Sequence, residues 1–201
     1  MQFPPTAVIF MGVSGCGKST ALAALHALLP PALRASTRQI EADDLHPPTN
    51  RAKMAAGIPL TDADRWPWLA TVAASIVDVL SVVPTSFTTT PILALAACSA
   101  LRQSYRVFLG RTITEAVVGA RVVFVWMDVP ADDLLARLER RQLHFMKANM
   151  LGSQLRTLEN PVADSDANGS YTVIRVVCST DDSPSDVADC VRDQLFPVLG
   201  L

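Results

Sequence analysis

The chain predicts a three-layer α/β fold, a five-stranded parallel sheet with helices on both faces, on three observations. Short apolar runs alternate with longer segments of helical period, the pattern of parallel strands joined by crossover helices. A glycine-rich turn stands directly between the first apolar run and the first helical segment. The composition, 50% hydrophobic and 18% charged over 201 residues, gives a globular chain the size of one domain, so residues 1–201 are expected to form a single body. The first strand is residues 7–11, followed by a helix-rich segment, 18–29, stopped by Pro30-Pro31. A weaker second strand ends at Ile40. A helix over 66–80 then begins with Pro67 in a position that a first helical turn accepts. The prolines and threonines of 84–91 form a loop before the third strand, 92–97. The fourth strand is 122–127, and a helix over 131–141 follows with Leu134, Leu135 and Leu138 as its buried stripe. Turn formers crowd residues 160–170 ahead of the last strand, 171–177, and the last helix, 184–196. There is no internal repeat.

Composition also excludes several classes of function. Seventeen Lys and Arg against 19 Asp and Glu give a charge of −2 and a pI near 5.9. No basic excess is available for nucleic acid or an anionic membrane. The mean hydropathy of +0.29 invites a search for spans, but the longest uncharged stretch, 79–101, is broken by Pro84 and Pro91. The apolar run near the start is shorter than a signal-peptide core, so a cytoplasmic protein is expected. Cys16, Cys98, Cys178 and Cys190 form no CxxC pair and suit reduced thiols.

Gly12-Val13-Ser14-Gly15-Cys16-Gly17-Lys18-Ser19 fills every fixed position of the GxxxxGK[ST] phosphate loop, with Thr20 next in the helix. Its glycines let backbone N–H groups turn toward phosphate oxygens, and the helix N-terminus adds positive potential. Lys18 is placed for the β and γ phosphates of a nucleotide and the Ser19 hydroxyl for Mg²⁺. Cys16 is a small residue at a free position, although a thiol near a helix N-terminus can be open to oxidation. Asp128, at the end of an apolar strand, imitates a second Mg²⁺ ligand, but Val129-Pro130 and a new helix follow at once. It reads better as a turn or helix-start residue. Glu41-Ala42-Asp43-Asp44 stands where a parallel sheet presents its carboxyl ends to a ligand. One carboxylate there can orient or deprotonate a hydroxyl while a neighbour holds Mg²⁺ through water. Asp44 reads as solvated.

The cluster runs on as Asp43-Asp44-Leu45-His46-Pro47, Asn50-Arg51-Ala52-Lys53-Met54 and Gly57-Ile58-Pro59-Leu60-Thr61-Asp62-Ala63-Asp64-Arg65. Further blocks are Cys98-Ser99-Ala100-Leu101-Arg102 with Tyr105-Arg106, and His144-Phe145-Met146 with Gln154 and Leu158-Glu159. Over about residues 7–177 the succession resembles the small gluconate kinases (gluconokinases) of the phosphate-loop (P-loop) kinase group. The resemblance implies a P-loop kinase fold with a mobile lid, a homodimer, and transfer of the ATP γ-phosphoryl group to the 6-hydroxyl of D-gluconate. Lys18, Asp43 and Arg137 are then the expected catalytic groups, with Asp43 taking or orienting the hydroxyl proton. Lys53, Arg65, Arg102 and Arg106 are candidates for the substrate's carboxylate and hydroxyls, joined by His144 and Gln154. His46 either bonds a hydroxyl or fixes its loop. Arg137 and Arg141 best match the arginines that fold over the phosphates, and residues 142–153 the lid. The chain departs from the family pattern at Glu41 (usually Asp), here a metal ligand through water, at Arg102 (usually Lys) and at Leu143 (usually Gly). The rival readings are a kinase for another sugar acid or small polyol, and a switch that binds ATP without catalysis.

Overall fold

The computed structural model describes residues 4–82, 92–140, 148–161, 169–179 and 182–200, with the side chains of 138–140 and 148–150 left aside. Five strands form one sheet in the order β2-β3-β1-β4-β5 and every pairing is parallel. They are β1 (Thr6–Met11), β2 (Thr37–Glu41), β3 (Leu93–Ala97), β4 (Arg121–Asp128) and β5 (Thr172–Val177). All five match the apolar runs to within a residue or two at most ends.

β1 lies at the centre and is buried throughout, so its side chains divide the core by parity. Val8 and Phe10 face α1 (Lys18–Leu28) and α8 (Pro184–Leu199), meeting Leu25, Val191 and Leu195. Ala7, Ile9 and Met11 face α4 (Asp62–Leu80) and α5 (Gln103–Ala116), meeting Leu69, Ile76 and Leu109. Each fully buried Ile or Phe of this strand contributes about 1.5–3 kcal/mol. The central strands are apolar on both faces because helices cover both.

Several boundaries differ from expectation. α4 starts at Asp62, a full turn before residue 66. Thr61 caps it: its hydroxyl accepts from Asp64 N at 3.3 Å, while the Asp64 carboxylate accepts from Thr61 N at 2.9 Å. That reciprocal box outweighs Pro67, which lies inside the helix and removes only one interior hydrogen bond. Likewise α8 runs through Pro197 to Leu199 and ends at Gly200, φ 76°. Pro30-Pro31 stops α1 but also opens α2 (Pro31–Ser36), with Pro31 at its first position. Three further helices, α3 (Pro48–Ala55), α5 and α7 (Ala148–Thr157), were not expected from the periodicity. In α6 (Ala131–Arg140) Leu134 is buried as expected, but Leu135 is 44% exposed and off the core face. The expected 84–91 loop lies outside the described residues, as does most of the 160–170 connection. Among the described residues no helix is long and apolar enough to cross a membrane.

Candidate active site

The turn after β1 has the backbone that its glycines predict. Gly12 has φ 136°, and a Cβ there would stand 2.9 Å from Cys16 Sγ and 3.1 Å from Met127 O. Gly17, φ 98°, is the N-cap of α1, left-handed where a side chain would be strained. Gly12 N donates to Ser99 O at 3.2 Å, tying the loop to the segment after β3. Lys18 Nζ donates to Gly12 O and Val13 O at 3.1 and 3.0 Å and so closes over the loop. The thiol of Cys16 is buried, which makes it a core residue and not an exposed redox group. All four cysteines are free, and burial pushes Cys98 up to about 12 and Cys178 up to about 11.

The carboxyl end of β2 delivers the acids. Glu41 Oε2 accepts from Ser19 Oγ at 2.5 Å, so the hydroxyl and the carboxylate that could share a Mg²⁺ shell stand together. Burial raises the Glu41 pKa, with the Asp43 charge adding to the rise and the Ser19 bond and Lys18 opposing it. A cation beside it would therefore be favoured. This pair fits Mg²⁺, which is held by one or two protein oxygens together with phosphate and water. Among the described residues no group of three His, Cys, Asp or Glu forms a protein-only cage. Asp43 sits in the one-turn 3₁₀ helix Ala42–Leu45 with its side chain 71% exposed. Asp44 is exposed as expected.

Two cavities flank the phosphate loop. The first, about 610 Å³, has Lys18, Asp43, His46, Arg65, Trp68 and Gln154 in its wall. Gln154, on α7, accepts from Ser14 N through Oε1 at 2.6 Å and closes the cavity against the loop. His46 is buried and stacked on Trp68, whose indole N–H donates to Ala42 O at 2.7 Å. His46 is thus held by its stack on Trp68 and also lines the cavity. The second cavity, about 600 Å³, is lined by Cys16, Gly17, Thr20, Arg137 and Asp182. Arg137 donates to Cys16 O at 3.4 Å and to Ser179 O at 2.5 Å, bridging the phosphate loop and the turn after β5. Arg141 and His144 lie outside the described residues, together with 142–147 of the expected lid.

The four candidate cations separate by environment. Arg65 is in the wall of the first cavity, 3.8 Å from Asp62. Arg102 donates to Asp62 Oδ2 and the Tyr105 hydroxyl to Asp62 Oδ1, both at 2.5 Å, so Asp62 is a hub for this side. Lys53 pairs with Asp64 at 2.6 Å, and that bond, with those from Thr61, holds Asp64 down to about 2. Arg106 is fully buried. It donates to Ala100 O at 2.8 Å, Leu101 O at 3.0 Å and Glu159 O at 3.3 Å, and is absent from the cavity wall. It clamps the loop in which Ala100 has the left-handed φ of 41°. Asp128 is the last residue of β4, in register with Val177, and not the turn or helix-start residue expected; its carboxylate pairs with Arg175 at 2.6 Å. Asp62, Trp68 and Asn50 escaped the sequence reading. Asp62 and Asn50 stand within the motif blocks and Trp68 lies just past them, but partners distant in sequence give Asp62 and Trp68 their roles.

A phosphate loop at the carboxyl end of the central strand of a parallel sheet, a carboxylate pair beside it and an acceptor cavity opening onto its lysine define a P-loop kinase. No protein-family model matches the chain. It is 39% identical over 166 residues to the gluconokinase of Gluconobacter oxydans, covering 82% of this chain and 81% of that protein. To the thermosensitive gluconokinase of Escherichia coli it is 38% identical over 156 residues, covering 78% and 73%. The crystal structure of a gluconokinase from Sinorhizobium meliloti superposes with a TM-score of 0.69 at 31% identity, covering 100% of this chain and 96% of that one. The chain belongs to the gluconokinase family.

Proposed function

We propose that this enzyme transfers the γ-phosphoryl group of ATP to the 6-hydroxyl of D-gluconate, giving 6-phosphogluconate and ADP. The observation that carries the reading is the first cavity, in whose wall the phosphate-loop Lys18 and the carboxylate of Asp43 face the same space. Lys18, the loop amides and the α1 N-terminus bind the β and γ phosphates, and Arg137 covers them beside the second cavity, which suits the nucleoside. Ser19 and Glu41 would hold Mg²⁺, Glu41 through water, and charge neutralisation on the phosphate oxygens is the chemistry it would supply there. Asp43 receives the proton of the attacking hydroxyl, and Arg65, with Arg102 behind it on Asp62, takes the gluconate carboxylate. Gln154 leaves Ser14 N as phosphate arrives, and residues 142–153 close to exclude water. The helices on both faces of one sheet support treating 1–201 as one kinase domain. A cytoplasmic homodimer completes the reading, and sedimentation velocity tests the dimer.

The decisive experiment is ADP release by purified protein with ATP, Mg²⁺ and a panel of sugar acids and polyols. Gluconate-dependent turnover is expected, and its absence would sink the assignment. Asp43→Asn is expected to keep ATP binding while losing turnover by about 100-fold or more. Lys18→Ala weakens the phosphate contacts themselves.

A further inference from the structure

Beside Asp43 the acceptor cavity holds a histidine whose two ring nitrogens have different neighbours. His46 is 5% exposed and lies flat on Trp68, ring centroids 4.2 Å and planes 13° apart. Its Nε2 stands 4.0 Å from Asp43 Oδ1, and its Nδ1 stands 3.3 Å from Asn50 Nδ2. Asn50, 2% exposed, uses the same Nδ2 to donate to the backbone carbonyl of Asp64 at 2.9 Å. A carbonyl oxygen can only accept, so that bond sets the orientation of the Asn50 amide, with its NH₂ facing both partners. One amide proton goes to Asp64 O and the other to His46. Nδ1 is therefore an acceptor, and the single ring proton of neutral His46 is on Nε2. Burial lowers the His46 pKa and keeps the ring neutral, with Asp43 opposing and Arg65 and Arg51 assisting.

We propose that Asn50 is a positioning residue that locks His46 as an Nε2–H donor to the acceptor oxygen, so that the hydroxyl's own proton is directed to Asp43. The proposal rests on the assignment of Asp43 as proton acceptor. A separation of 4.0 Å is too long for a direct hydrogen bond between the two side chains. An oxygen about 2.8 Å from each fits beside them with an angle of about 90°. Such an oxygen accepts from His46, donates to Asp43 and keeps a lone pair for phosphorus. As the new O–P bond forms, the hydroxyl proton passes to the Asp43 carboxylate and the O–H electron pair stays on oxygen. The bond from the γ phosphorus to the β–γ bridging oxygen breaks, and its electron pair leaves with ADP. His46 keeps its proton throughout. A fixed donor at this point also selects a neutral hydroxyl over an ammonium group, which has no lone pair to offer it.

Long-range ¹⁵N–¹H correlation spectra of labelled protein, with His46 identified by its loss in His46→Gln, read the tautomer directly. The ring proton is expected on Nε2 in the native protein. In Asn50→Asp, whose carboxylate can only accept, it is expected on Nδ1 or on both nitrogens. The kcat of Asn50→Asp should fall on the order of 10- to 100-fold, with KM for ATP within about twofold. His46→Phe keeps a ring on Trp68 without the donor and should lose a similar factor. His46→Gln, whose amide nitrogen falls near Nε2, should recover most of that loss. A native ring proton on Nδ1 overturns the proposal, as does His46→Phe turning over at the native rate. The native spectrum needs no substrate, and its assignment needs only that His46→Gln folds. Absence of gluconate turnover would therefore overturn the acceptor assignment while the tautomer is still read.

Discussion

Arg65 and Arg106 are the same residue type in neighbouring blocks of one motif series, yet their surroundings give them different work. Arg65 lines the cavity with its guanidinium 3.8 Å from the Asp62 carboxylate and beside the Tyr105 hydroxyl, and its fork has the shape to meet a ligand carboxylate. Arg106 spends its donors on three backbone carbonyls in the core. Arg65→Lys is expected to raise KM for gluconate roughly tenfold, because the ammonium keeps charge but loses the fork, with little change in melting temperature. Arg106→Ala should instead destabilise the fold by more than about 3 kcal/mol, since it strands buried carbonyls in the loop around Ala100. Urea unfolding and initial-rate kinetics on the two variants separate the cases. An Arg106→Ala protein of native stability with a raised KM would return Arg106 to the substrate site.

At the scale of an element, the start of α4 matters most, because its first turn carries Asp62, Asp64 and Arg65. The Thr61 box holds that turn, and Thr61→Ala should cost about 1 kcal/mol in urea unfolding. Asp64 joins the cap to α3 through Lys53 and, by its carbonyl, through Asn50. The pKa of Asp64 is depressed from 3.8 to about 2, so its contribution to stability is present above the unfolded value and lost as pH falls through about 2. Asp64→Asn should remove that part of the acid sensitivity. Tryptophan fluorescence between about pH 4 and 2 should then change less steeply in the variant than in the native protein. A variant curve of unchanged slope would mean that Lys53 and Thr61 do not act through this carboxylate.

For the whole molecule, both cavities meet at one loop between β1 and α1, and nucleotide binding there should stabilise the entire fold. At about 100 times its dissociation constant, ATP with Mg²⁺ adds about 2.7 kcal/mol, or roughly 5–10 °C in melting temperature for a chain of this size. Lys18→Ala should lose most of that shift in thermal melts. If the shift survived in Lys18→Ala, the phosphate loop would not be the principal ATP contact.

Whatever depends on neighbours along the chain was legible in the amino-acid order. The glycines of 12–17, the apolar strands and the acids after β2 each act through local backbone geometry or a single period, and these are enough for the fold class and the phosphate site. The same order misplaced the start of α4, because Pro67 is a louder signal than a Thr-x-x-Asp box, and passed over the shorter helices whose faces are only partly apolar. The uneven charge was legible too, five acids against two bases over 41–64 and eight bases against five acids over 102–147. Which of those bases faces a ligand was not. Arg106 and Arg65 differ in what the fold brings beside them, the carbonyl of the distant Glu159 for one and the cavity for the other. The tautomer of His46 depends likewise on a carbonyl 18 positions further along the chain, at Asp64. Such roles are set by desolvation and by pairing across elements, and these exist only once the sheet has brought its carboxyl ends together.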